Sequence, residues 1–283
     1  MPKRLPPRLP PRLFTGLATG LSTGLSARSR GWLAGAAGLG ALVAGWWVAA
    51  LTIFSGTSVP TPSGVVSRLL EDGLTFYRAN FVVTIEEALR GFVYGNVVAL
   101  ALASLVLLVP ALETVVTQIA IISYCIPIVA ITPILYIVIG PPSSGEPSGT
   151  AVSLAAISVF FTTVVGALLG FRSADRTSLD LVSVYGGGRW KQLSKVQLVS
   201  ALPAILSALQ IAAPAAFLGA ILGEYIGGVD RGVGPALVNA QQNLDSERAW
   251  GIALVCGLVA GVGYAVFGVL SRFVTPWSTG KAA

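Results

Sequence analysis

Six stretches of this chain run for more than about 20 residues, the length needed to cross a bilayer, without a charged side chain. They are Gly31–Ser67, Gly91–Leu112, Thr114–Gly145, Pro147–Phe171, Val196–Gly223 and Ala249–Ser271. None alternates over about 10 residues as barrel strands do, and lipid offers backbone N–H and C=O groups no partner outside the chain. The pattern therefore predicts six transmembrane α-helices and an all-α, polytopic fold. The longest polar passage between apolar runs is "TSLDLVSVYGGGRWKQLSKVQ", Thr177–Gln197. Thr177 and Asp180 have the spacing of a capping box. Leu181, Val184 and Tyr185 share one face of a helix of two or three turns, which Gly186 ends as a left-handed C′ residue. A second short helix follows, with Trp190, Leu193 and Val196 on one side and Lys191 and Lys195 on another. Neither can bury its apolar face alone. Lying on anionic headgroups and docking into a partner fit this pattern equally well.

Composition agrees with a membrane protein: of 283 residues, 54% are hydrophobic and 11% charged, against about 25% charged in soluble domains. The net charge of +6 does not mark a nucleic-acid binder, because the bases are segregated. Lys3, Arg4, Arg8, Arg12, Arg28 and Arg30 precede the first run; Arg172, Arg176, Arg189, Lys191 and Lys195 follow the fourth; Arg272 and Lys281 follow the sixth. With six crossings these share one face, whereas the opposite loops hold Arg68, Arg78, Arg231 and Arg248. The positive-inside bias assigns both termini and the Thr177 passage to the cytoplasm. Along the chain this gives a disordered basic N-terminus (residues 1–30), a first span (31–54), an external segment (55–80), a core of five spans (81–277) with a cytoplasmic loop at 172–197, and a tail (278–283). The proline- and arginine-rich start is not read as a signal peptide, since its apolar run is too long and lacks a cleavage site.

The chemistry available is narrow. There is no histidine, so imidazole bases and ligands are absent, and no phosphate-binding G-x-x-x-x-G-K-[ST] loop occurs. Cys125 and Cys256 lie in separate apolar runs and read as small core residues. Glu86, Glu87 and Arg90 intrude at the start of the second span. A proton-driven carrier would use such charges, but Glu86 and Arg90 have the i,i+4 spacing of a helical ion pair. No catalytic residue, metal site or cofactor of this chain's own is expected.

The intervals of Asp180, Gly186, Val196, Leu198 and Pro203 resemble the "EAA" loop of binding-protein-dependent ABC importer permeases, in particular the branch that imports sulfonates, taurine, nitrate and thiamine precursors. Asp180 stands where that family has Glu. "TIEEALRGFVYGNVVAL", with Thr84, Gly91, Phe92 and Gly95, resembles the family's entry to the second span. Pro127, Ala130, Pro133 and Gly140 resemble its third span, and Phe160, Phe161 and Gly170 its fourth. Glu224 and "GVDRGVG" resemble the loop after the fifth. Val199 and Thr162 replace usual prolines, and Gly166 a common asparagine. The resemblance implies the type I ABC importer permease fold, working as a homo- or heterodimer of permeases with an ABC ATPase subunit, which holds ATP and Mg, and an extracytoplasmic substrate-binding protein. It implies a coupling-helix role toward the ATPase for Thr177, Asp180, Leu181, Val184, Tyr185, Gly186, Arg189 and Trp190. Prolines that bend spans can open a cavity, so Pro127, Pro133, Pro203 and Pro214, with Thr162 and Glu224, are candidates for the pathway. A small organic anion such as a sulfonate or taurine ranks first as solute, ahead of nitrate and an aromatic vitamin precursor. A proton-driven carrier and a non-transporting membrane scaffold are the alternatives.

Overall fold

A computed structural model describes residues 27–55, 59–143 and 146–279 and contains no strand among them. The chain divides into two units, residues 1–57 and 58–283. The first unit supplies α1 (Ala27–Thr52), 26 residues and about 39 Å long at 1.5 Å per residue. Leu39, Leu42, Val48 and Leu51 all stand exposed on it, as on a helix whose solvent is lipid. Most of the expected disordered N-terminus lies outside the described residues. Arg28 and Arg30 are helical, within α1.

The second unit opens with α2 (Pro62–Leu108). The Thr61 hydroxyl accepts the Gly64 amide at 3.2 Å and Pro62 takes the first helical position, the arrangement that starts helices best. Residues 62–80, expected as an external segment ahead of the second span, are thus helical on both sides of a break at Gly73. The helix bends at Gly73, whose φ of 68° and ψ of 168° leave the helical region.

A turn at Pro110–Leu112 leads into α3 (Glu113–Cys125) and α4 (Ile128–Ile139), whose axes differ by 98°. The break has a local cause. Ile126 precedes a proline, which disfavours helical ψ, and it is extended at φ −74°, ψ 125°. Pro133, by contrast, lies inside α4 without ending it. Glu113 pairs with Arg172 at one end of the unit. Tyr136 packs its hydroxyl against Gly228 at the other, so the bent pair α3–α4 reaches from one end of the unit to the other. With α5 (Gly149–Arg172), the run into α8 (Leu198–Ile226) and α10 (Ser246–Val274), five helices among the described residues are long and apolar enough to cross a membrane, and six crossings result when the bent pair counts as one.

Helix α5 is the centre of this unit, touching α2, α3, α4 and α8. Small residues let the backbones meet: a Cβ at Gly95 of α2 would lie 2.4 Å from the Ala156 carbonyl oxygen of α5, and one at Gly223 of α8 would lie 2.4 Å from Ala151 Cα. Gly91–Gly95, Gly166–Gly170 and Gly219–Gly223 each repeat the small-xxx-small spacing that packs helices in membranes. Two buried clusters fill the remaining space. One holds Tyr77, Phe81, Phe217 and Ile252, and the other Val106, Val116, Leu168, Phe171 and Ile205. Thr163 of α5 donates to Asn96 of α2, both buried, which satisfies polar groups that lipid would leave bare.

Candidate functional site

The polar passage between α5 and α8 folds into a small two-helix knob. Its first helix, α6, spans Arg176–Val184. The N-cap is Asp175, not Thr177: Asp175 Oδ2 accepts the Ser178 amide at 3.1 Å and the Ser178 hydroxyl at 3.3 Å. Asp outranks Thr as an N-cap, and Ser178 at the third position returns a second bond, so the start moves two residues upstream. Thr177 therefore sits in the first turn, and Asp180 stands exposed in the middle of the helix, making no capping box.

The other end follows the sequence reading. Gly186 has φ of 73°. The Gly187 amide donates to the Val182 carbonyl at 2.8 Å and the Gly186 amide to Ser183 at 2.9 Å, the paired bonds of a Schellman motif. After Gly188 the chain enters α7 (Arg189–Gln192). Instead of closing as an isolated helix, α7 passes through a π turn at Leu193–Gln197 directly into α8. Helix α8 then runs unbroken through Pro203 and Pro214.

Three contacts pin the knob. Gln192 Nε2 donates to the Leu179 carbonyl at 3.1 Å and to Ser183 Oγ at 2.9 Å, tying α7 to α6. Arg189 Nη1 donates to the Leu108 carbonyl at 3.1 Å, occupying the last turn of α2. Leu193 is buried in the second apolar cluster. Held in this way, Leu181, Val184, Tyr185 and Trp190 point outward, with Val184 83% and Tyr185 82% exposed. A pinned knob presenting large apolar side chains is the form that interaction sites take. The spacing of Leu181, Val184 and Tyr185 foretold this face. It did not reveal Asp175 or Gln192, nor that Arg189, named for a role toward the ATPase, donates to the end of α2.

The pathway candidates fall on α5, α8 and the bent α3–α4 pair. Pro127 and Pro133 lie exposed along α3 and α4, and Thr162, Pro203 and Pro214 are half-buried on α5 and α8. Glu224 is 1% exposed, its carboxylate enclosed among α2, α8 and the following loop. Glu86 and Arg90 form the expected helical ion pair at 2.6 Å, each half-exposed. No group of His, Cys, Asp and Glu among the described residues has metal-ligand geometry.

Fold and site together define a multi-pass helical membrane protein with an exposed helical knob built onto one of its spans. The family model described as "binding-protein-dependent transport system inner membrane component" matches residues 95–279, and the chain belongs to that family of transport subunits, which are not themselves enzymes. The coupling-helix loop is typical of it. A probable ABC transporter permease protein of Haemophilus influenzae is 26% identical over 245 residues, covering 85% of this chain and 95% of its own length. The formylaminopyrimidine transport permease protein of Halalkalibacterium halodurans is 23% identical, covering 82% and 90%. The riboflavin transport system permease protein of Chloroflexus aurantiacus is 26% identical, covering 82% and 85%.

Proposed function

We propose that this chain is the membrane-spanning subunit of an ATP-driven importer, pairing with a second permease subunit to form the path for a small solute that an external binding protein delivers. The knob of α6 and α7 faces the cytoplasm and seats in an ABC ATPase subunit, which holds the ATP and Mg. The observation that carries this reading is the outward set Leu181, Val184, Tyr185 and Trp190 on a knob continuous with α8. Movement of the ATPase pulls a span directly, because no flexible linker separates α7 from α8. Solute choice follows the binding protein as much as this chain. The names of the two relatives that specify a solute, together with the resemblance to sulfonate importers, make an aminopyrimidine, riboflavin and taurine the panel to try.

One observation favours a proton-driven carrier instead: Glu87 and Glu224 are buried carboxyl side chains within the helical core. Three of their four carboxyl oxygens accept from protein donors, and Glu87 Oε2 is buried without a hydrogen-bond partner. The Ser148 amide donates to Glu87 at 2.6 Å, and Thr84 and the Gly234 amide donate to Glu224. The test is uptake into proteoliposomes carrying this chain with its partner subunits and binding protein. Uptake that needs ATP and survives collapse of the proton gradient is expected. Uptake without ATP that collapses with the gradient overturns the proposal.

A further inference from the structure

At the end of the unit opposite the knob, the chain leaves α8 at Ile226, turns through Gly227–Gly232 and enters α9 (Val233–Gln242). The first amides of any helix lack partners within it, and they are normally satisfied by the helix's own N-cap side chain. Here the N-cap is Gly232, which has none. The amides are satisfied from two other helices. Gly232 N donates to Asn80 Oδ1 at 3.3 Å, Val233 N to Thr84 Oγ1 at 2.9 Å and Gly234 N to Glu224 Oε2 at 2.7 Å. Thr84 Oγ1 donates in turn to Glu224 Oε1 at 2.6 Å. The N-terminus of α9 is thus capped jointly by α2, through Asn80 and Thr84, and by α8, through Glu224.

The fit is close and dry. Thr84 is fully buried and Glu224 nearly so. A Cβ at Gly232 would lie 2.6 Å from the Glu224 carboxyl carbon, and one at Gly234 would lie 2.6 Å from Glu224 Cβ. Glu224 has no basic partner among the ion pairs of the described residues; its side chain meets the Thr84 hydroxyl, the Gly234 amide and the side chain of Glu87. Near the far end of α9, Tyr225 of α8 donates to Gln241. Helix α9 buries Val233, Gly234, Ala236 and Ala240 and turns Asn239, Gln241 and Gln242 outward. It is a polar, uncharged platform fastened at both ends to the span whose other end carries the knob.

We infer that Thr84 and Glu224 are positioning residues that fix the α9 platform to α8 and α2, so that a protein docking on α9 and the ATPase docking on the knob act on one rigid rod. This rests on the importer reading, and it assigns α9 as the surface through which the external binding protein signals. A merely structural role would lower assembly and every rate alike. A positioning role separates basal ATP hydrolysis, which needs only the knob, from the increment that the binding protein adds.

The test uses the complete reconstituted complex, with ATP hydrolysis measured with and without saturating binding protein and with assembly followed by copurification of the ATPase. Thr84→Val keeps the side-chain volume but removes both the donor to Glu224 and the acceptor for Val233. It is expected to assemble, to hydrolyse ATP at the basal rate and to lose about two- to tenfold of the stimulation, the range carried by an ordinary buried hydrogen bond. Thr84→Ser, which restores the hydroxyl, should return most of it. Should Thr84→Val not assemble, Glu224→Gln is read in the same way, since it keeps an acceptor for Gly234 but weakens the bond from Thr84. Full stimulation in an assembled Thr84→Val or Glu224→Gln complex overturns the inference. So does a parallel fall in assembly, basal rate and stimulation in both variants. A wild-type complex that the binding protein does not stimulate at all overturns the importer reading itself, and the inference with it.

Discussion

Gly186 allows a backbone cost to be measured almost free of packing. Its φ of 73° lies in the left-handed region, and a Cβ built there meets nothing within 4 Å. A side chain at this position therefore costs conformation alone, about 1–2 kcal/mol. The neighbouring Gly187 is the contrasting case, because its Cβ would lie 2.4 Å from Val182 Cγ1 and 2.7 Å from the Val182 carbonyl oxygen. At Gly186, a cost of about 1–2 kcal/mol multiplies the population of the opened helix end by about 5–30. The amides that report it are those of Gly186 and Gly187, which close the end of α6 on Ser183 and Val182. Hydrogen exchange of the protein in lipid nanodiscs reads this directly. Gly186→Ala should speed exchange of the peptide spanning residues 183–190 by that factor, and Gly186→Val by at least as much. Gly186→Asn should stay close to wild type, because Asn tolerates left-handed φ. Reconstituted Gly186→Val complexes should also lose coupled transport, since α6 then ends without a fixed direction. Unchanged exchange in Gly186→Val, or an Asn variant as perturbed as Val, would refute the reasoning.

Two further predictions concern the opposite end. Leu244 occupies the equivalent C′ position after α9, with φ of 54° and the same paired bonds, Asp245 N to Ala240 O and Leu244 N to Gln241 O, while its side chain is 89% exposed. Leu244→Gly should raise unfolding stability by ~0.5–1 kcal/mol, relief of left-handed strain outweighing the extra chain entropy; a lower thermal midpoint would contradict this. Asp245 caps α10 and meets Arg68 at 2.6 Å. Burial raises its carboxyl affinity for protons, but the Arg248 amide and the Arg68 guanidinium outweigh this and hold it below the usual carboxylate range. A lowered folded value stabilises the protein above the unfolded value near pH 4 and is lost as pH falls through the lower folded one. Asp245→Asn should therefore lower the thermal midpoint at pH 7, with the deficit shrinking below about pH 4; a deficit of equal size at pH 3 would count against the assignment.

The crossings were legible because a bilayer demands uninterrupted apolar length, and Pro127 and Gly186 were legible because proline and left-handed glycine act on their own neighbours. What escaped the sequence depended on competition or distance. Asp175 and Thr177 are both good caps, and only the return bond from Ser178 decides between them. The π turn that welds α7 to α8 has no residue signature, so the two read as separate pieces. Glu224 stood out as part of a family pattern, but its partner Thr84 lies 140 positions away, and nothing local shows that its side chain accepts the first amides of α9. The same holds for Arg248, which grips Asp72 at 2.6 Å across 176 positions.

The account depends most on which side of the membrane the knob occupies. Val184 on α6 and Gln242 at the end of α9 are both exposed and lie at opposite ends of the unit. Single cysteines would be placed at each, after Cys125 and Cys256 are replaced by alanine, and intact cells labelled with a membrane-impermeant thiol reagent. The proposed arrangement requires labelling at 242 in intact cells and at 184 only after the membrane is opened. Labelling of 184 from outside would contradict it, because no cytoplasmic ATPase could then reach Leu181, Val184, Tyr185 and Trp190.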